Sequence, residues 1–227
     1  NNHVRYSGDD GIDVENSYAA DINFNHVHGA YGDGIEVRNS FGVDVVGNRV
    51  HFVGDDGIDV ANSNYADIRY NRVRGTDDNG IEVRNSDDAD IIGNTVLHAG
   101  DNGIYVNACD DVRIGFNHVF YSDDDGIDVN GGHYISIFGY TDKFNGEDGI
   151  DVDGSRHVDI YYNRVSGNDE DGINVDANHY GRHKGPNQIN IVGNNVTGNG
   201  EDGIQVSASG GKGSQGVELL VDMNHVA

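Results

Sequence analysis

The chain has 227 residues and is strongly acidic, with 39 Asp and Glu residues against 14 Lys and Arg and a formal net charge of −25 at pH 7. Such a charge disfavours nucleic acid and anionic membranes as partners, and it attracts cations. One Cys excludes an internal disulfide framework, no segment resembles a membrane span, and 36% hydrophobic residues without any Trp would give one globular core of this size little apolar material.

An acidic or amide residue followed by Gly and Ile recurs nine times along the chain. The first eight of these glycines are 23 residues apart without exception, and the last step is 31 residues. A fixed period in this range predicts that each repeat is one structural unit, which buries its apolar face by stacking on its neighbours. We therefore expect a single solenoid domain over residues 1–227. The nine glycines are Gly11, Gly34, Gly57, Gly80, Gly103, Gly126, Gly149, Gly172 and Gly203.

Each repeat contains three short strands in order. A triplet such as Ile12-Asp13-Val14 comes first, a triplet such as Ala20-Asp21-Ile22 follows, and an inward residue such as Val27 marks the third. Alternation of apolar and polar residues is typical of strands, and no helical period competes with it. The sequence therefore predicts an all-β fold, a three-sided parallel β-helix (β-solenoid) of about nine rungs of 23 residues. We expect it to be right-handed, as β crossovers overwhelmingly are.

One column of the aligned repeats, between the second and third strands, is Asn. Stacked side-chain amides hydrogen-bond along a stacking axis, so we predict an Asn ladder in this corner. The residue before each Asn alternates between an aromatic ring and Gly, as in Phe24 and Gly47, and we expect each ring to lie over a neighbouring glycine. Cys109 falls in a column of Ser residues and is expected to fill a tight corner. The ladder residues are Asn2, Asn25, Asn48, Asn71, Asn94, Asn117, Asn163, Asn194 and Asn224.

Over almost the whole chain the rungs read Asp-Gly-Ile-x-Val…Ile-x-x-Asn-x-Val. In this pattern the sequence resembles the repeat family of right-handed parallel β-helices. The resemblance implies the fold and leaves the function open, since polysaccharide lyases, epimerases, surface proteins and phage spikes all use such rungs. The sequence is also distantly similar to the β-helix modules of mannuronan C5-epimerases, in its rungs and its lengthened late rung. Their signature Tyr-Gly-Phe-Asp-Pro-His does not occur, so no catalytic residue carries over.

Paired acidic residues precede most of the turn glycines, and another acid follows the Ile. Stacking places these like charges one strand spacing apart, and Ca²⁺ suits such clusters of carboxylate oxygens. The alternative is turn chemistry, in which Asp hydrogen-bonds its own backbone and Gly takes a positive φ. Asn79 and Asn102 fill the same column, which favours this alternative there. The candidate Ca²⁺ ligands are Asp9, Asp10, Asp13, Asp55, Asp56, Asp59, Asp124, Asp125, Asp128, Glu147, Asp148 and Asp151.

A basic stripe follows the Asn ladder, and alternation places it on the outer side of the third strand. Such a stripe suits an anionic polysaccharide, with Arg49 and Arg72 as candidate contacts, because Arg binds carboxylates through two parallel hydrogen bonds. The alternative is that it neutralises the acidic column that begins at Asp21 and includes Asp67 and Asp90. The stripe comprises His3, His26, Arg49, Arg72, His118, Arg164 and His225, and two residues further on Arg5, His28, His51, Arg74 and Lys143.

The repeat pattern breaks at residues 139–144. Tyr140 replaces the ladder Asn, and Asp142 replaces the inward Val. With Lys143 and with Arg164 on the next rung, these residues are the candidate catalytic group of a uronate epimerase or lyase, which neutralises a carboxylate and moves the C5 proton. The alternative is a tolerated defect, or a bulge that turns Asp142 outward.

Two insertions lengthen the late rungs. The first, near residues 179–186, is the one dense cationic and aromatic segment, and loops that leave a solenoid often form its binding face. The second, near residues 207–215, is rich in Gly and Ser. The candidate substrate-binding residues of the first insertion are His179, Tyr180, Arg182, His183 and Lys184.

The regular repeats favour an extracellular structural or adhesive scaffold, stabilised by Ca²⁺ and in contact with an anionic polysaccharide. The alternatives are a uronate-polysaccharide epimerase or lyase and a passive glycan-binding module. Asn2-His3-Val4 and Asn224-His225-Val226 occupy the same phase of the repeat. We therefore expect the chain to be an excerpt of a longer one, able to stack end to end with other copies into fibres. Nucleic acid and membrane insertion are not expected.

Overall fold

The protein was analysed as a computed structural model, which describes residues 1–176, 187–207 and 217–227. These residues form parallel strands in two sheets. No helix long and apolar enough to cross a membrane occurs in these three ranges. Sheet A has ten strands: His3–Arg5, His26–His28, Arg49–Val53, Arg72–Thr76, Thr95–Ala99, His118–Phe120, Thr141–Lys143, Arg164–Ser166, Asn195–Thr197 and His225–Val226.

Sheet B has sixteen strands in two rows. Two long strands, Ile127–Phe138 and Ile150–Tyr161, run through both rows and join them. The first row otherwise contains Ile12–Glu15, Ile35–Arg38, Ile58–Ala61, Ile81–Arg84, Ile104–Asn107, Ile173–Asp176 and Ile204–Ser207. The second row otherwise contains Asp21–Asn23, Asp44–Val46, Asp67–Arg69, Asp90–Ile92, Arg113–Gly115, Asn187–Val192 and Val217–Asp222.

Every rung therefore has three sides, as the sequence predicts. Residues one period apart are paired, for example Val27 with Val50 in sheet A and Ile35 with Ile58 in sheet B. The 31-residue step does not disturb this register, because Val165 pairs with Val196. The exact repeat of the sequence thus becomes an exact stack of equivalent residues.

A continuous apolar core fills the coil. In a central rung Ile58, Val60, Ile68 and Val73 all have no solvent exposure. These are the inward positions of the two rows of sheet B and of sheet A. The rungs contribute the same four inward positions, which are apolar except at Asp142, so stacking extends one core along the axis.

Close packing explains the turn glycines, and the expectation of a positive φ is wrong for them. All nine have φ outside the left-handed region. A Cβ built on Gly57 would collide with a methyl group of Val73 and with the carbonyl oxygen of Gly80. The backbone just before each of these strands therefore passes too close to the next rung to leave room for a side chain.

The Asn ladder is confirmed. Asn71 donates from Nδ2 to the carbonyl oxygen of Val45 at 2.7 Å and to Oδ1 of Asn94 at 3.0 Å, and its backbone N–H donates to the same Oδ1 at 2.9 Å. The side chains satisfy backbone groups that the tight corner would otherwise leave buried and unpaired. Tyr140 interrupts the ladder, and its N–H donates to Asn163 Oδ1 at 2.9 Å.

The expected pairing of rings with glycines is also confirmed. Atoms Cδ1 and Cε1 of Phe24 lie 2.7 Å from the place that a Cβ of Gly47 would occupy. Tyr70 lies in the same way against Gly93. Cys109 is buried in the Ser column, where its Sγ accepts the Ser86 N–H at 3.2 Å, the role that Ser Oγ has in other rungs.

Candidate functional site

The second acid of each acidic pair belongs to a ladder of its own. Oδ1 of Asp10 accepts the N–H of Asp33 at 2.9 Å, and Oδ1 of Asp33 accepts the N–H of Asp56 at 2.8 Å. Asn79 takes the same place, since its Oδ1 accepts the N–H of Asn102 at 3.1 Å. The acid thus accepts a hydrogen bond from the backbone of the next rung. Turn chemistry predicted a bond to its own backbone instead. The observed bond explains why an amide replaces the acid freely.

Among the described residues, carboxylates form four groups on the outer side of the first row of sheet B. We call this side of the sheet the acidic face. In each group, one oxygen from each of three residues lies within 4.8 Å of the others. The groups are Asp10–Asp13–Glu36, Asp33–Glu36–Asp59, Asp56–Asp59–Glu82 and Asp125–Asp128–Asp151.

Seven of the candidate Ca²⁺ ligands lie in these groups, and five do not. Asp9, Asp55 and Glu147 are exposed because the first acid of each pair points to solvent. Asp33, Glu36 and Glu82 were missed, although the triplets Ile35-Glu36-Val37 and Ile81-Glu82-Val83 place acids in the outward column. The residues outside the groups are Asp9, Asp55, Asp124, Glu147 and Asp148.

Two arginines neutralise the groups of the early rungs. Arg38 contacts Glu36 at 2.7 Å and Asp13 at 3.4 Å. Arg84 bridges two rungs in the same way, with Asp59 at 2.5 Å and Glu82 at 2.8 Å. Each of these groups therefore has a cation of the protein itself beside it.

The Asp125–Asp128–Asp151 group has a different electrostatic environment. Burial raises the pKa of Asp125 to about 8, that of Asp128 to about 6 and that of Asp151 to about 7. The charged neighbours that act on these three pKa values are all carboxylates, including Asp153, which holds the sequence position of Arg38 and Arg84. The side-chain amide of Asn130 donates to both oxygens of Asp128, at 3.1 Å and 3.0 Å. Half-buried carboxylates without a cationic neighbour provide oxygen ligands for a divalent cation.

Tyr140 and Asp142 are sealed in the core. Asp142 has no solvent exposure and pairs in register with Val119 and Val165, so there is no bulge that turns it outward. Its Oδ1 accepts hydrogen bonds from Tyr140 Oη at 3.0 Å and from Asn145 Nδ2, and its Oδ2 accepts one from Asn168 Nδ2 at 2.7 Å.

This burial contradicts the expected catalytic group. Lys143 and Arg164 are exposed on sheet A, but Tyr140 and Asp142 lie on the inner side of the same sheet. A polymer at the surface does not reach them. Burial raises the pKa of Asp142 to about 7, and it raises that of Tyr140 well above its ordinary value, with Asp142 adding to the effect.

The predicted basic stripe lies on the outer side of sheet A, in two adjacent columns. Arg49 pairs in register with His26 and with Arg72, and His51 with Arg74. The interpretation that this stripe neutralises the acidic column is wrong for Asp67 and Asp90, because Arg69 pairs with them at 2.7 Å and 2.6 Å. The first four rungs carry a basic residue or His in both columns, and we call these eight residues the cationic patch: His3, Arg5, His26, His28, Arg49, His51, Arg72 and Arg74.

Exposed aromatic rings border the cationic patch on both sides. Tyr6 and Phe52 follow the second column, with ring centroids 5.8 Å and 5.6 Å from that of His28. Phe24 and Tyr70 precede the first column and are 64% and 66% exposed. From the sequence, Phe24 and Tyr70 were expected to pack against glycines, and no role was predicted for Tyr6 and Phe52. The candidate residues His179, Tyr180, Arg182, His183 and Lys184, and the insertion near 207–215 beyond Ser207, lie outside the described residues.

Comparison with known proteins places this geometry in a family. A family model described as a right-handed β-helix region matches residues 1–139 and, in a second match, residues 56–217. No curated protein matches the chain. Among solved structures, the periplasmic alginate epimerase AlgG superposes with a TM-score of 0.64 at 18% identity over 91% of this chain. This chain spans about half of that protein, 55% of its length.

Two modules from Azotobacter vinelandii are similar over nearly all of this chain. The mannuronan C-5 epimerase AlgE6 A-module has a TM-score of 0.62 at 14% identity, and the match covers 98% of this chain and 75% of the module. The AlgE4 A-module has a TM-score of 0.61 at 14% identity, with 99% and 80% covered. At these identities the similarity shows the shared fold alone.

Proposed function

Because the chain belongs to the right-handed β-helix family, we propose that its solenoid is an extracellular scaffold that binds an anionic polysaccharide along sheet A. The observation that carries this proposal is the cationic patch, eight His and Arg side chains on four successive rungs of a protein with a net charge of −25. Among the described residues, no carboxylate forms an ion pair with them.

The spacing of the patch suits a linear polymer. Neighbouring strands lie about 4.8 Å apart, so each column presents one basic group per strand spacing along the axis. An extended chain of uronate sugars repeats its carboxylates on a similar scale. Several weak contacts on one rigid surface then add up to avidity.

The aromatic borders favour a sugar polymer over other polyanions. Tyr6 and Phe52 are 76% and 56% exposed, beside the charged columns. An exposed ring offers an apolar face to the C–H groups of a pyranose, while Arg49 and Arg72 offer paired N–H donors to its carboxylate. The similarity to the alginate and mannuronan epimerases supports the same class of ligand.

The binding proposal has a direct test. We expect Arg49→Gln with Arg72→Gln to weaken the Kd for alginate or polygalacturonate oligomers by about tenfold at low salt and to reduce the salt dependence, because two Arg–carboxylate contacts are lost. Arg113→Gln is the control, since it removes an exposed charge from sheet B. Isothermal titration calorimetry provides the readout.

Two results would contradict it. Equal weakening by Arg113→Gln would mean that only the net charge matters, and no binding of either polymer by the wild type would remove the proposal. Incubation with alginate and pectate tests the enzyme alternative separately. New unsaturated ends or a changed uronate ratio would show catalysis, for which the sealed Asp142 offers no acid or base.

We further propose that Ca²⁺ binds at Asp125–Asp128–Asp151 and stiffens the scaffold. In the early rungs Arg38 and Arg84 already neutralise the equivalent acids, whereas the charged neighbours that act on this group are all acidic and Asp128 has only the neutral amide of Asn130 as a side-chain donor. A bound divalent cation there relieves the repulsion and adds its binding free energy to the stability of the fold.

The metal proposal is tested by thermal melts in EDTA and in millimolar Ca²⁺. At a hundredfold excess over Kd, binding adds about 2.7 kcal/mol, which raises the Tm by roughly 5–10 °C for a chain of this size. We expect Asp128→Asn to lose most of this shift. Asp123→Asn, which changes an exposed acid outside the group, should keep it. An equal shift in both variants would indicate general screening instead of a site.

A further inference from the structure

We propose that the cationic patch is gated by protons, so that it holds an anionic polysaccharide more tightly in mild acid than at neutral pH. This inference rests on the proposed function and concerns the regulation of the same surface. Half of the patch is histidine: His3 and His26 are neighbours in the first column, and His28 and His51 are neighbours in the second. Histidine is the side chain whose charge changes between about pH 5 and 8.

The imidazoles form a continuous row. The ring centroids of His3 and His26 are 5.5 Å apart, and those of His26 and His51 are also 5.5 Å apart. Rings this close share the field of any charge that one of them takes up. His26 and His51 therefore oppose each other's protonation while the surface is empty.

The groups that face these rings are cationic. His3, Arg5, Arg49 and His28 act on His26, and burial together with these charges lowers its pKa.

His51 has the same kind of surroundings. His26, Arg72, His28 and Arg74 face it, and burial and these charges lower its pKa in the same way. The rings of Tyr6 and Phe52 adjoin His28, and that of Phe52 also adjoins His51.

Local hydrogen bonds do not fix the protonation state. In the described part of the chain, Nδ1 of His28 and Nε2 of His51 have no hydrogen-bond partner. Burial and the neighbouring cations, which lower the pKa of His26 and of His51, therefore favour the neutral form of these two rings on the free surface.

A bound polyanion reverses the electrostatics of the row. Carboxylates laid along sheet A supply the negative charge that favours the protonated imidazole. Binding and protonation are then linked, so that each strengthens the other by the same factor. His26 and His51 take up protons as the polymer binds, and the number of ionic contacts rises above the four made by the arginines as the pH falls.

The test is the Kd of alginate oligomers at about pH 5.5 and about pH 7.5, at constant ionic strength, where the uronates are ionised throughout. We expect at least about tenfold tighter binding in acid, corresponding to the uptake of one or more protons. His26→Gln with His51→Gln should remove most of this pH dependence. The control, His98→Gln with His157→Gln, removes two histidines away from the patch and should keep it.

Proton uptake gives a second readout. Calorimetry in two buffers of different ionisation enthalpy should show protons taken up on binding at about pH 6.5 by the wild type and not by the patch variant. Binding that is equal at both pH values would overturn the gating and leave the proposed function standing. A pH dependence that survives His26→Gln with His51→Gln would assign it to the acidic face and overturn the gating. Absence of binding at either pH would defeat the proposed function, and the inference with it.

Discussion

At position 142 a carboxyl group takes the place that Val119 and Val165 fill in the adjacent rungs. It is tolerated there because three donors converge on it, from Tyr140, Asn145 and Asn168. A buried charge without such partners costs several kcal/mol. Tyr140, which takes the ladder position, thus donates a hydrogen bond to the Asp two residues later. The two departures from the repeat therefore depend on each other.

Asp142 makes the stability of the fold pH-dependent. Its pKa is raised to about 7 by burial, so the folded state holds a proton that the unfolded chain releases near its ordinary value of about 4. Its contribution is therefore full below pH 4 and is lost as the pH rises through 7, by at most about 4 kcal/mol. We expect the difference in unfolding free energy between wild type and Asp142→Asn to change over this window, measured by urea unfolding at pH 4.5, 6, 7 and 8.5. A constant difference would mean that Asp142 keeps one protonation state throughout.

At the scale of the element, the strands and the Asn ladder follow from the 23-residue period, because equivalent residues must stack. The role of the turn glycine did not follow. A glycine in a turn suggests backbone freedom, whereas Gly57 is needed because Val73 and the backbone of Gly80 fill the space of its Cβ. That contact joins two sides of the coil and becomes visible only when the sides are closed on one another.

The glycine column therefore gives a steric prediction. Gly57→Ala should destabilise the protein by roughly 1–3 kcal/mol or more, because the methyl group overpacks the corner against backbone that cannot move aside. Gly8→Ala is the matched control, since nothing lies within 4 Å of its Cβ position. It should be neutral or slightly stabilising. Chemical denaturation of both variants measures the difference, and equal stability would refute the packing explanation.

The structure contains a second amide ladder, which was not predicted from the sequence. The N–H groups of Ser122, Asn145 and Asn168 donate to the side chains of the next rung at 3.0–3.1 Å, and Asn199 ends the series. Its signal was present in the three Asn-x-Glu-Asp-Gly segments that end at Gly149, Gly172 and Gly203. The column was overlooked because earlier rungs fill it with Ala30 and Val53.

At the scale of the whole molecule, charge is segregated between sides of the coil. Sheet A carries the cationic patch, and the first row of sheet B carries the acidic face. The sequence predicted both columns but not the groups they form, since Asp33 and Glu36 belong to one rung and Asp59 to the next, and they are brought together only by stacking. The stacking of rungs also determines which acids form an ion pair with an arginine, since Arg38 reaches Asp13 and Arg84 reaches Asp59 on the neighbouring rung.

Such segregation makes the fold sensitive to salt. Raising NaCl from about 0.01 M to about 0.1 M shortens the screening length from about 30 Å to about 10 Å, which weakens the repulsion of a chain with a net charge of −25. We expect the Tm at pH 8 to rise by several degrees over this range. At pH 4.5, where the carboxylates with raised pKa are protonated, the rise should be much smaller. A rise of the same size at both pH values would assign it to an effect other than carboxylate repulsion.

The alternation of rings and glycines beside the Asn ladder bears on how such a molecule changes length in evolution. Phe24 packs on Gly47 and Tyr70 packs on Gly93, so the structural repeat of this corner is two rungs long. Losing one rung of 23 residues, such as 47–69, would bring Phe24 against Tyr70, ring upon ring. Losing or gaining 46 residues leaves every ring above a glycine. Unequal recombination should therefore be tolerated in pairs of rungs, and homologues of different length should differ by even numbers of them.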